Sequence, residues 1–317
     1  MSRNWSSKST GDEVVEAFSA HVNGRTFLIT GPSEAGLGAE TAYSLAATAS
    51  PSLLILAGRD KTKIDPVIAK IHSLNSAVKT LFVPLDLADQ SSVRHAAETI
   101  NAQVGTIDVL INNAAIMACP YGKTKDGIEL QFGVNFLGPF LFTNLILGKL
   151  RAAGPGARIV NLSSSAHRFS GIRFDNWGFD NWRLYEPFEA YGQSKTAAIL
   201  FSIHLASRLP KEEIAVFSLH PGSIVSPLQQ YLNPEVTKNA ITKAQQIPNF
   251  ELSEPRSLQE GCATSLIAAL DPVLESHSGA YLNDGQISTQ AEHAQGLDNA
   301  AKLWKLGESI VGQDFSL

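Results

Sequence analysis

The sequence is poor in cysteine. Only Cys119 and Cys262 carry thiols among 317 residues. That is too few for a disulfide framework and points to a reducing compartment, so a cytoplasmic location is expected. Charge is sparse too: 17% of residues are Asp, Glu, Lys or Arg, and 30 acidic side chains outnumber 25 basic ones. A nucleic-acid binder needs a basic face to neutralise phosphates, so that class is excluded. Long apolar runs are also missing. The most apolar stretch, Phe136 to Leu150, is interrupted by Gly138, Pro139, Asn144 and Gly148, and reads as too short to span a bilayer. The opening MSRNWSSKSTGDEVVEAFSA has no signal-peptide core, and no membrane anchor is expected. No His, Cys and Asp residues fall at metal-ligand spacing, so no metal is expected.

What the chain does have is alternation. Apolar runs predict strands at Thr26–Thr30, Ser52–Ala57, Thr80–Val83, Ile107–Asn112, Arg158–Ser163 and Ile214–Leu219, with a seventh at Ala280–Asn283. Amphipathic segments near 37–48, 62–74, 89–103, 128–151 and 189–208 separate them. Apolar strands joined by helix-length crossovers imply an α/β fold, a Rossmann-type doubly wound parallel sheet of about seven strands. One domain over residues 21–312 is expected, with residues 1–20 as an N-terminal extension and 313–317 as a tail. Two long excursions, 166–188 and 224–257, leave from carboxyl ends of strands, where such sheets bind ligands.

The first strand runs directly into Gly31-Pro-Ser-Glu-Ala-Gly36-Leu-Gly38, and a helix follows. Glycines there allow a tight turn, close approach of backbone to a pyrophosphate and helix–strand packing. The helix N-terminus offers unpaired N–H groups to phosphates. Gly31, Ser33, Gly36, Leu37 and Gly38 are therefore the expected dinucleotide contacts. An acid at the end of the second strand would hold the ribose hydroxyls of NAD, but the chain reads Ala57-Gly58-Arg59-Asp60. Arg59 is placed to grip a 2′-phosphate, so NADP(H) is the expected cofactor; Glu34 in the glycine turn counts against it.

Tyr191 and Lys195 are spaced i, i+4, which puts both on one helix face. A phenol is a poor base at neutral pH. An ammonium about 4 Å away at an effective dielectric of 20 is worth roughly 4 kcal/mol, or about three pKa units. Alone, this pairing is common on solvated helices. Its company is what matters. The fifth strand ends in Asn161-Leu-Ser163-Ser164-Ser165 and the fourth in Asn112-Asn113-Ala114-Ala115. Asn135 lies within an apolar helix, and the sixth strand ends in His220-Pro221-Gly222-Ser223-Ile224-Val225-Ser226.

With these motifs in this order, the sequence resembles the short-chain dehydrogenase/reductase family over about residues 20–312. It is most similar to the retinol-dehydrogenase-like and WW-domain-oxidoreductase-like branch and its fungal members. The resemblance implies Tyr191 as catalytic acid/base, Lys195 as its partner on the nicotinamide ribose, and Ser164 as the group polarising the carbonyl. Ser163 and Ser165 are the alternative serines. It implies Asn135 as the holder of a relay water. Asn112, Ala114, Asp86 and Leu87 would line the adenosine side, and Pro221, Gly222, Ile224 and Ser226 the nicotinamide. Three departures stand out. The glycine turn has one extra residue, Ala115 replaces the usual glycine, and 27 positions separate Ser164 from Tyr191.

The first excursion crowds Phe169, Phe174, Trp177, Phe179, Trp182, Tyr185 and Phe188 together. Some could wall an apolar or aromatic substrate, or they could pack the loop onto the body. The second resembles a substrate lid, with Tyr231, Leu232, Ile241 and Phe250 suggesting an apolar interior. His167 and His220 read as structural or substrate-facing. The expected activity is NADP(H)-dependent interconversion of a carbonyl and an alcohol on an apolar small molecule, in specialised metabolism as in fungal members. A non-redox isomerase, dehydratase or cyclase on the same site, or a cofactor-binding regulatory protein, are the alternatives. The family resemblance implies a homodimer through helices 128–151 and 189–208.

Overall fold

The structure is a computed structural model that describes residues 4–180, 183–247, 250 and 254–317. Strand β1 (Thr26–Thr30) leads through α2 (Leu37–Thr48) to β2 (Leu53–Gly58), then α3 (Lys61–Leu74) to β3 (Lys79–Pro84); a short α1 (Gly11–Ala17) precedes them. Helix α4 (Gln90–Gln103) leads to β4 (Val109–Asn112). A single turn α5 (Leu130–Phe132), a π turn at Gly133–Leu137 and α6 (Gly138–Ala153) then run as one rod to β5 (Ala157–Leu162). Helix α7 (Pro187–Arg208) precedes β6 (Ile214–His220). Short strands β7 (Ser223–Ile224) and β8 (Pro255–Arg256) flank α8 (Pro234–Ala244) and pair with each other. The chain ends in α9 (Leu258–Leu270), β9 (Tyr281–Asn283), β10 (Gln286–Ser288) and α10 (Leu297–Val311).

The main sheet has eight strands in the order β10-β9-β6-β5-β4-β1-β2-β3. All its pairings are parallel except β10 on β9. The strand order reverses between β1 and β4, and the crevice for a ligand opens there. The central strands read as continuous apolar runs because both faces are covered: Leu28 packs on one side of β1, Phe27 and Ile29 on the other.

The eighth strand was not expected. It is a hairpin return from β9 whose two-residue turn, Asp284-Gly285, has both residues left-handed (φ 55 and 71). Asp-Gly is the sequence sign of such a turn.

The structure bears on four of these expectations. The N-terminal 20 residues are not an extension, since Val14 and Val15 of α1 are fully buried and Trp5 donates to Asp271 at 3.3 Å. The tail also docks, Phe315 meeting Phe140 edge-on at 5.6 Å. The rod Leu130–Ala153 is, by length and apolar composition, long enough to cross a membrane, but 83% of its most apolar window is buried inside the protein. It is a core helix. Finally, part of the surface of α6 and α7, the helices named for dimerisation, is covered from within the chain. Trp304 of α10 stacks on His204 at 4.4 Å and meets Phe140 at 4.9 Å and Phe201 at 6.1 Å. The run Ala197–Leu205 therefore packs inward.

Candidate active site

A cleft of about 660 Å³ runs along the carboxyl ends of the strands, from the β1–α2 turn to α8. Its first end is built for a dinucleotide. Gly31 has φ +65, and a Cβ there would lie 2.8 Å from Ala114 Cβ, so only glycine leaves the floor open. The extra residue of the turn is absorbed at Ala35, which takes φ 58, and Gly36 N–H closes the turn on Ser33 C=O at 3.0 Å. Helix α2 starts at Gly36 with no side-chain cap, so its first N–H groups face the cleft without a competitor.

At the end of β2, Arg59 lies exposed on the rim, with Lys63 of α3 beside it on the cleft wall. Asp60 does not take the role of the ribose-binding acid. It caps α3, accepting from Thr62 N–H at 2.9 Å, and that hydrogen bonding holds its carboxyl below the usual range. Glu34 is exposed and does not line the cleft.

These residues fit a nicotinamide dinucleotide: an open glycine floor and an uncapped helix start, with Arg59, Asp60, Lys63 and Asp86 lining the cleft beyond them. Further along, Asp86, Leu87, Pro221, Gly222, Ile224 and Ser226 all line the cleft, as expected. When bound, the cofactor supplies or accepts a hydride at its nicotinamide ring.

The catalytic centre forms where β5 meets α7. Glu186 caps α7 by accepting from Phe188 and Glu189 N–H, and Pro187 starts it. One turn later Tyr191 and Lys195 face inward, both buried. The three serines separate cleanly. Ser163 Oγ donates to Lys195 C=O at 2.8 Å and is structural, Ser165 opens a short 3-10 turn, and Ser164 is the serine whose hydroxyl acts on the Tyr191 phenol. Lys195 Nζ donates to Leu162 C=O at 2.8 Å and stands 5.6 Å from the Tyr191 ring centre.

The expected depression of the phenol by lysine is absent. Burial pushes Tyr191 well above its ordinary value, with Ser164 pulling the other way, and burial brings Lys195 down to about 7. A lysine with that value is only partly charged at neutral pH, so its field on the phenol is weak. Tyr191 stays protonated, which suits it to give a proton rather than to take one.

Three predicted residues do not reach the cleft. Asn112 points behind it, donating to Thr143 Oγ1 at 3.0 Å and Asn161 Oδ1 at 2.8 Å, and so ties β4 to α6 and β5. The next residue, Asn113, is the one at the cleft; it donates to Thr30 C=O at 2.8 Å and steadies the glycine turn. Gly38 sits behind the turn, where a Cβ would strike Asn113 Nδ2 at 2.5 Å, so it serves packing rather than phosphate contact. Asn135 lies on the π turn with its side chain engaged. It accepts from Ile116 N–H at 2.9 Å and donates to Ile116 C=O and Ser194 Oγ, both at 2.9 Å. Both amide donors are therefore spent, and only a second lone pair on Oδ1 is left to the side chain. Sequence reasoning also missed Lys63, whose position on the first turn of α3 was legible from Arg59.

The far end of the cleft is apolar. Phe169 and Phe188 reach it from the first excursion; Leu232, Ile241 and Phe250 from the second. Phe169 and Phe250 stack at 5.3 Å. Tyr231 is 40% exposed and does not line the cleft. The other aromatics of the first excursion pack the loop: Trp177 stacks on Phe132 at 5.6 Å, and Phe179 is fully buried against Tyr185. Trp182 lies outside the described residues. His220 faces the cleft, and burial pushes it down to about 3.

Fold and centre define a dinucleotide-dependent oxidoreductase of the tyrosine–lysine–serine kind. Residues 25–179 match the family described as short chain dehydrogenase. The chain is 36% identical to retinol dehydrogenase 12 of Mus musculus, over 92% of this chain and 87% of the relative. It is 34% identical to a short-chain dehydrogenase/reductase of Penicillium roqueforti, over 90% and 85%. A crystal structure of a protein from Mycobacterium paratuberculosis is 31% identical and superimposes with a TM-score of 0.71, covering 94% of this chain and 98% of that one. The chain belongs to the short-chain dehydrogenase/reductase family, with retinol-dehydrogenase-like relatives.

Proposed function

We propose that the protein is an NADP(H)-dependent oxidoreductase that interconverts a carbonyl and an alcohol on an uncharged, apolar small molecule. One observation carries the reading: the cleft is chemically two-ended. Arg59 and Lys63, with the carboxylates Asp60 and Asp86, stand at the dinucleotide end, whereas none of the described residues lining the far end is charged. Between the ends, Tyr191 and Ser164 both line the cleft. In the reductive direction Ser164 would hold the substrate oxygen and Tyr191 would give its proton to it, the bound cofactor supplying the hydride. Lys195 would hold the nicotinamide ribose. The similarity to the Penicillium roqueforti relative supports a fungal-type affiliation. We place the enzyme in specialised metabolism and in the cytoplasm, the latter supported by two buried, unpaired cysteines.

Fluorescence titration tests the cofactor assignment. Arg59→Ala should weaken NADPH by about 10- to 100-fold, the worth of a charge-assisted contact, and leave NADH unchanged. Equal NADPH and NADH affinity in the unmodified protein would refute it. Tyr191→Phe should abolish turnover of a carbonyl panel while NADPH binding persists; retained turnover would refute the proton-donor role.

A further inference from the structure

We propose that His167 is a positioning residue, fixing the backbone of Ser164 and with it the hydroxyl that meets the substrate oxygen; this rests on the carbonyl–alcohol reading above. His167 is fully buried in the 3-10 turn Ser165–Phe169 that follows the catalytic serine. Both of its ring nitrogens are committed. Ala291 N–H donates to Nε2 at 3.0 Å, and a backbone amide can only donate, so Nε2 carries a lone pair and the ring proton sits on Nδ1. Nδ1–H then donates to Ser164 C=O at 2.7 Å, an oxygen that also accepts the backbone N–H of His167 at 3.0 Å.

The turn is held from three further directions. Thr196, next to Lys195 on α7, donates to His167 C=O at 3.0 Å, and His293 Nε2 donates to the same oxygen at 2.7 Å. The Tyr281 ring meets the imidazole edge-on at 5.2 Å. Both nitrogens of any buried imidazole need partners; what distinguishes this one is where its partners lie. Here the imidazole bridges the segment at Ala291 to the carbonyl of the catalytic serine, so the C-terminal part of the chain sets where Ser164 stands. Burial pushes His167 down to about 4, which keeps Nε2 an acceptor through the neutral range.

The test compares His167→Phe, which keeps the ring and removes both hydrogen bonds, with His167→Asn, whose amide restores a donor toward Ser164 C=O. Small displacements of a reacting group cost up to about 100-fold, so kcat should fall about 10- to 100-fold in the Phe variant. KM for the carbonyl and the NADPH dissociation constant should hold, and the Asn variant should recover most of kcat. Unchanged kcat in the Phe variant, or equal losses in both variants, would overturn the proposal. A second readout needs no turnover. Ala166 N–H donates to Ser164 Oγ at 3.1 Å, so its amide exchange reports where that hydroxyl is. Loss of one such bond should speed exchange about 5- to 10-fold in the Phe variant and not in the Asn variant. If the unmodified protein reduces no carbonyl, the functional reading fails while the exchange comparison still decides whether His167 positions Ser164.

Discussion

Replacing Lys195 with methionine should stabilise the folded protein at neutral pH and abolish its activity. The ammonium group is 3% exposed, and burial lowers it from its ordinary 10.5 to about 7. At roughly 1.36 kcal/mol per unit, burying it costs at most about 4–5 kcal/mol at pH 7. The bond from Nζ to Leu162 C=O at 2.8 Å offsets part of that, by about 1.5–3 kcal/mol. A net gain of about 1–3 kcal/mol for Lys195→Met follows.

The sign of the pH dependence is fixed by proton counts. Between pH 7 and 10.5 the unfolded chain binds this proton and the folded chain does not, so unmodified protein gains stability as pH rises. Methionine has no proton to lose. The advantage of the variant should therefore shrink by about 1 kcal/mol per pH unit from pH 7 to pH 9 and stay flat below pH 7. Denaturant unfolding of both proteins at pH 6, 7, 8 and 9 measures the gap directly. A gap of constant size across that range would refute the claim that the buried ammonium is the origin of the effect.

Ala35 sits at φ 58, a conformation that costs an alanine about 1 kcal/mol and a glycine almost nothing. Ala35→Gly should raise Tm by about 2 °C in a chain this size without changing NADPH affinity; a lower Tm would mean the turn is held by contacts other than its backbone. Trp304→Ala removes a side chain wedged between His204, Phe140 and Phe201. A loss of about 3–5 kcal/mol is expected. With the faces of α6 and α7 uncovered, self-association should also appear in size-exclusion chromatography; unchanged melting would show that α10 is not the cover.

The parallel sheet, the glycine turn and the tyrosine–lysine–serine set were legible in the sequence because each rests on local pattern. A strand buried on both faces must be apolar throughout, a phosphate-binding turn must lack side chains, and two residues on one helix face must lie four apart. The choice among three consecutive serines was not legible, because neighbours in a chain differ in what they face only after β5, α7 and the 3-10 turn have met. Asn112 and Asn113 show the same limit. One residue along a strand reverses the side chain, so the first asparagine binds the core and the second holds the turn.

Sequence alone thus determined which chemistry the chain carries: a dinucleotide turn, a cation at the second strand and a proton-donating centre. Only the tertiary structure decided how that chemistry is set. Burial, a property of the assembled fold, keeps Tyr191 protonated and Lys195 only partly charged at neutral pH, the opposite of what their spacing suggested. Contacts between segments far apart in the chain did the rest. Ala291 reaches the imidazole behind Ser164, and Trp304 of α10 packs on His204 of α7, because packing joins residues by distance in space rather than by distance in sequence.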